Sequence, residues 1–155
     1  MFDFHDLVTP GTVLADISAG TRKALFGIIA AAAEPMSGVP AKLVAEMLAD
    51  REKLGSTAFG GGTAIPHVRI DTIDRVHGMF LRLHRPIDYA AVDDLPVDLV
   101  FALFSPPGAG GDHLKALARV SRALRDTAFR AKLRGAGSSD ALYALLSGVE
   151  ARDAA

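Results

Sequence analysis

Cysteine is absent from the 155-residue chain, which excludes disulfides, thiolate nucleophiles and thiolate metal sites and accords with a reducing compartment. Long apolar runs are absent as well. The longest, Ala24 to Ala33 (ALFGIIAAAA), falls far short of the roughly 20 residues a membrane-spanning helix requires. The opening MFDFHDLVTP has neither the basic stretch nor the apolar stretch of a signal peptide. No charge excess exists either: 17 basic residues against 18 acidic ones give a formal charge of -1, which offers no footprint for nucleic acid or anionic lipid. The expectation is a cytoplasmic chain without membrane insertion, whose partners are proteins or small molecules.

What is present is the material of a packed core. Half of the residues are hydrophobic and 23% are charged, a balance that favours a folded chain over disorder. Only Pro35 to Pro40 resembles an internal linker, so one domain over residues 1–155 is expected, with a frayed tail over 150–155.

The spacing of apolar residues predicts a strand over Thr12 to Ile17, then a helix capped by Ser18 or Thr21 and stopped near Ala33 by Pro35. Leu25, Ile28 and Ile29 form its apolar stripe. A second helix is expected from Pro40 to Lys53, with Leu43, Val44, Met47 and Leu48 on one face and Gly55 ending it. Ser56 to His67 (STAFGGGTAIPH) reads as two strand fragments joined by a tight glycine loop. Val76 to Leu83 and the almost wholly apolar Val97 to Phe104 are strands, the second of a kind covered on both faces. Ser105 to Gly111 (SPPGAGG) is a loop. Asp112 caps a helix through about Leu124 that buries Leu114, Leu117, Val120 and Leu124, and short helices follow at Thr127 to Arg134 and Ser139 to Leu146. Strands interleaved with helices predict a three-layer α/β fold with a central mixed β-sheet flanked by helices.

Two features bear on chemistry. Gly60, Gly61 and Gly62 could cradle a phosphate through backbone N–H groups, although they match neither the P-loop nor the dinucleotide pattern, and three glycines more often make a tight turn. His67 follows Pro66, which stiffens the backbone before it. A neutral imidazole keeps a free lone pair near pH 7 and is a competent nucleophile. The residues alone leave two readings of His67 open, a nucleophile or a ring that satisfies a buried hydrogen bond. His5, His77 and His84 read as surface or packing residues, whereas His113 opens a helix, where its ring could meet an anion. Neither an HExxH motif nor an evident third ligand supports a metal site.

The segment LADREKLGSTAFGGGTAIPHVRID, together with LVTPGTVLADISA, RPIDYAAVDDLPVDLVFALFSPP and DHLKALARVSRALRD, resembles the enzyme IIA family of the mannitol and fructose type, and most of all its nitrogen-regulatory branch. The four blocks span nearly the whole chain in order. The resemblance implies that His67 accepts a phosphoryl group from an HPr-like carrier, with His113 as second histidine and Arg51 as the arginine of the site. It implies a phosphotransferase component that does not turn over a small molecule alone, needs neither cofactor nor metal, and signals to regulatory target proteins; the alternatives are an enzyme IIA that donates phosphate to a sugar-specific membrane permease and a non-transferring binding module of the same fold. A homo-oligomer is compatible with it. Thr57 and the glycines 60–62 are then candidates to hold the phosphate by a hydroxyl and by backbone N–H groups. Ala58, Gly61 and Val68 depart from the commonest family pattern, and Lys115 stands where a further histidine sometimes occurs.

Overall fold

The computed structural model describes residues 2–149; the frayed end expected for 150–155 lies outside the described residues. A 3-10 turn (Pro10–Thr12) leads into β1 (Val13–Ile17), followed by α1 (Arg22–Ser37) and α2 (Ala41–Lys53). Three short strands come next, β2 (Ala58–Gly60), β3 (Thr63–Ala64) and β4 (His67–Arg69), then the long strands β5 (His77–Ile87) and β6 (Val97–Ser105). The helices α3 (Gly110–Arg125), α4 (Thr127–Gly135) and α5 (Ser139–Leu146) complete the order.

The sheet is mixed, in the order β1-β5-β6-β3-β2, with β4 also paired to β6. Along β6 the side chains alternate between two cores, because successive residues of a strand point to opposite faces. Val100, Ala102 and Phe104 pack with Leu25, Ile29, Val44 and Leu48 of α1 and α2. Leu99, Phe101 and Leu103 pack with Val120, Leu124, Leu133 and Leu142 of α3, α4 and α5. Both faces of β6 are thus covered, which explains its nearly unbroken apolar sequence.

Several expected boundaries shift, each for a local reason. Thr21 caps α1, its side chain accepting from the Ala24 amide, and the helix runs through Pro35 to end at the left-handed Gly38 (φ 69°). Pro35 lacks the amide that would bond to the Ala31 carbonyl four residues back. Ala31 and Pro35 are exposed, so water can serve that carbonyl and the last turn survives. Helix α3 starts before Asp112, with Ala109 rather than Asp112 at its N-cap. Leu114 is 64% exposed, and His113 occupies the buried position expected of it. In α2 Leu43 is exposed, while Val44, Leu48 and Glu52 make the buried stripe. Strand β5 continues past Leu83 to Ile87, with a register shift between Arg82 and Ile87.

The three glycines make the β2–β3 turn, with φ of 111°, 66° and 79° at Gly60, Gly61 and Gly62. Other residues rarely adopt these values. A Cβ on Gly61 would also lie 2.9 Å from the Arg130 guanidinium, and one on Gly62 would lie 2.6 Å from Arg134.

Candidate functional site

Strands β3 and β4 lie end to end against the same side of β6: Ala64 pairs with Val100, and His67 pairs with Leu103. Between them Ile65 and Pro66 leave the ladder. The Ile65 amide donates to the Thr57 carbonyl, and the Pro66 carbonyl accepts from the Leu103 amide. This break frees the Ile65 carbonyl, which stands 2.8 Å from His67 Nδ1.

That contact sets the tautomer. A carbonyl can only accept, so Nδ1 carries the proton and Nε2 keeps its lone pair. The Arg51 Nε–H donates to His67 Nε2 at 3.3 Å, and Arg51 Nη1 donates to the Gly55 carbonyl at 2.9 Å. Arg51 comes from the last turn of α2, so the helix and the loop that follows it together aim its guanidinium. Burial holds the His67 pKa below the ordinary imidazole value of 6.5; the nearby Arg51 charge lowers it further, while the bond to Ile65 opposes the shift. His67 is therefore neutral near pH 7.

His113 projects from the first turn of α3, and its ring centroid lies 5.4 Å from that of His67. Its Nδ1 is 2.6 Å from Ser105 Oγ, at the end of β6. Burial depresses its pKa as well, with smaller contributions from His67 and Arg69. Arg51, His67 and His113 share an open cleft of about 490 Å³, joined by the edge of Val68 and by Arg69 on β4 and flanked by Met47, Asp50 and Leu54 of the α2 end, so one carboxylate also lies at its rim. Two guanidinium groups face two neutral imidazoles here, an arrangement suited to an anion next to a nucleophile. Among the described residues no group of three or more His, Cys, Asp or Glu could hold a metal ion.

Other candidates are elsewhere. The Thr57 hydroxyl and amide both donate to the Glu52 carboxylate, and the hydroxyl is 2.8 Å from the Tyr89 hydroxyl, all in a buried cluster. Thr57 does not line the cleft, and a phosphate there would have to compete with Glu52 and Tyr89 for its hydroxyl. Gly60, Gly61 and Gly62 do not line the cleft. The Gly61 amide donates to the Asp93 carboxylate and the Gly61 carbonyl accepts from Arg134, so side chains clamp the glycine turn on both sides. Val68 alternates away from His67 and is 8% exposed, packed within the core beneath α1 and α2. His5 and His84 are exposed and His77 is partly buried on β5; none of the three lines the cleft.

Sequence reasoning missed Arg69 and Ser105. Arg69 was detectable, because in a strand it stands two residues from His67 and so on the same face.

Comparison with known proteins bears on the family and the fold. Residues 6–149 match the family model described as "Phosphoenolpyruvate-dependent sugar phosphotransferase system, EIIA 2". A nitrogen regulatory protein of Bradyrhizobium diazoefficiens is 45% identical over 142 residues, covering 92% of this chain and 93% of its own. The crystal structure of nitrogen regulatory protein IIA-Ntr from Neisseria meningitidis superposes with a TM-score of 0.87 at 32% identity, covering 91% of this chain and 97% of that one. IIA mannitol from Escherichia coli, 19% identical with a TM-score of 0.74 over 89% of this chain and 97% of its own, shares the fold.

Proposed function

The chain belongs to the EIIA type 2 family of the phosphoenolpyruvate-dependent sugar phosphotransferase system, and on that premise we propose that it carries a phosphoryl group on His67 and regulates protein partners by its phosphorylation state. The donor is a phosphohistidine on an HPr-like carrier. The observation that carries this reading is the divided imidazole: Nδ1 is committed to the Ile65 carbonyl, and Nε2 presents its lone pair beside Arg51.

Transfer proceeds by in-line attack. The Nε2 lone pair forms a bond to phosphorus as the bond from phosphorus to the donor imidazole breaks, its electron pair returning to the donor nitrogen. His67 loses no proton in this step. Its Nδ1–H stays on the Ile65 carbonyl, which supports the positive charge the ring gains. The 3.3 Å bond from Arg51 is long for a hydrogen bond, so the guanidinium readily exchanges the lone pair for the phosphoryl oxygens, where charge-assisted bonds are roughly twice as strong. Negative charge in flight is spread over those oxygens, so aimed donors supply most of the catalysis. His113 adds an Nε2–H to them when the Ser105 hydroxyl donates to its Nδ1.

The attached phosphate adds a charge of roughly -1.5 to -2 to this surface. A regulatory partner that buries the cleft must pair that charge or lose affinity, which makes the modification a local electrostatic switch. The nitrogen-regulatory relatives favour regulation over supply of a sugar permease. Incubation with a phosphorylated HPr-like carrier tests the reading: one acid-labile phosphoryl group per chain is expected, and no uptake, or onward transfer to a sugar permease as the main fate, contradicts it.

The rate should also depend on pH in a defined sense. Only neutral imidazole attacks, and the pKa of His67 lies below its ordinary value. Single-turnover labelling is therefore expected to reach half its plateau below about pH 6.5 and to be flat from about one pH unit above that. Stability moves the same way: the unfolded imidazoles of His67 and His113 take up protons at higher pH than the folded ones, so stability falls as pH drops through the ordinary imidazole range and is restored above it. Half-loss of the labelling rate above pH 6.5 would exclude a desolvated ring as the nucleophile.

A further inference from the structure

We infer that Glu52 is a positioning residue for phosphoryl transfer, presetting Arg51 against His67 through the loop that joins α2 to β2. The inference rests on the proposed role of Arg51 and adds the device that aims it.

Glu52 directly follows Arg51 yet points the other way, into the α2 stripe of Val44 and Leu48. Its side chain is 2% exposed. A carboxylate so far from water is tolerable only when its oxygens are filled by donors. They are. The Thr57 amide lies 3.3 and 3.1 Å from the two oxygens, the Thr57 hydroxyl donates to Oε1, the Tyr89 hydroxyl lies 3.1 Å from Oε1, and Arg22 Nη1 lies 3.5 Å from Oε2. Burial and the Glu52 charge push the Tyr89 phenol well above its ordinary range, so it remains a donor.

These contacts lock a five-residue span at both ends. The Glu52 carbonyl accepts from the Gly55 amide at 3.1 Å, and the Glu52 carboxylate holds Thr57. Between them sits the Gly55 carbonyl, the only hydrogen-bond acceptor of the Arg51 guanidinium besides His67 among the described residues. Fixing the span fixes that carbonyl, and the carbonyl holds Nη1 so that Nε–H meets Nε2. Thr57 also gives its carbonyl to the Ile65 amide, and the Ile65 carbonyl orients the His67 ring. The same buried carboxylate therefore braces both partners of the Arg51–His67 contact.

The test is Glu52→Gln in the full chain, alone and combined with Arg51→Ala. Glutamine keeps the shape but offers an N–H₂ where Arg22, Tyr89 and Thr57 offer protons. At saturating phosphorylated carrier the transfer rate constant should fall about tenfold, with the half-saturating carrier concentration unchanged within about twofold. In the Arg51→Ala background the same replacement should cost clearly less than in wild type, about threefold at most, because the arm through Arg51 is already gone and only the brace on the His67 ring remains. An equal loss in both backgrounds overturns the inference. A second readout needs no phosphotransfer: the Arg51 Nε–H and His67 Nε2 resonances should shift towards those of free side chains in Glu52→Gln, and unchanged resonances also overturn it. A wild-type chain that takes no label would instead contradict the function proposed above, leaving this spectral readout intact. Should Glu52→Gln not fold, Thr57→Val keeps the amide bond and removes only the hydroxyl; a loss of about threefold that vanishes in Arg51→Ala is expected there.

Discussion

His67→Ala is expected to remain folded and to take up no phosphoryl group from a phosphorylated HPr-like carrier. Folding survives because the ring is only partly buried and its one backbone partner, the Ile65 carbonyl, lies at the cleft where water can replace it. The loss of labelling is complete because no other histidine has the same setting. His113 has one nitrogen on Ser105, and Arg51 hydrogen-bonds to His67 and not to it. His5 is paired with Asp3 at the surface, and His77 and His84 lie on β5 away from the cleft. Quantitative labelling with an acid-labile linkage checks the result: wild type should reach one phosphoryl group per chain and the variant none. Labelling retained in the variant and abolished when His113 is removed as well would move the acceptor to the second histidine.

Removing the Arg51 guanidinium should slow transfer by on the order of a hundredfold, the range found when an aimed donor is taken from a developing oxyanion. Arg51→Lys should recover only part of it, about tenfold below wild type, since an ammonium offers a point charge where the planar fork spans Gly55 and His67 at once. The Arg51 charge also lowers the His67 pKa. In Arg51→Ala that pKa rises towards its ordinary value, and the acid limb of the rate profile moves to higher pH. Single-turnover kinetics across pH separates the two effects: the plateau reports the lost donor and the midpoint reports the lost charge. A plateau equal to wild type would leave the guanidinium without a part in transfer.

The layered sheet was legible in the sequence because strands alternate with helices and the central strand is apolar on both faces. The four blocks of resemblance singled out His67, His113 and Arg51, which the fold brings into one cleft. Other features depend on tertiary contacts that no local pattern encodes. A glutamate after an arginine in a helix end reads as solvated, yet Glu52 is buried because Thr57, Tyr89 and Arg22 converge on it from three other segments. Thr57 looked like a phosphate ligand for the same reason: its neighbours in sequence are site residues, whereas its neighbours in space are Glu52 and Tyr89. The glycine loop is the tight turn between two strand fragments that its sequence suggests. Its left-handed backbone is required by the β2–β3 turn, which lies against Arg130 and Arg134. Leu114, expected in the buried stripe of α3, is exposed because His113, Ala116, Val120 and Leu124 occupy that face.

The geometry makes one claim that a single spectrum can decide: Nε2, not Nδ1, receives the phosphoryl group. Long-range proton–nitrogen correlation on uniformly nitrogen-15-labelled protein, recorded before and after phosphorylation by the carrier, resolves both ring nitrogens of His67. The account predicts that the Nε2 resonance alone acquires the phosphoramidate shift while Nδ1 keeps its proton on the Ile65 carbonyl. Phosphorus bonded to Nδ1 of His67, or to a nitrogen of any other histidine, would contradict it.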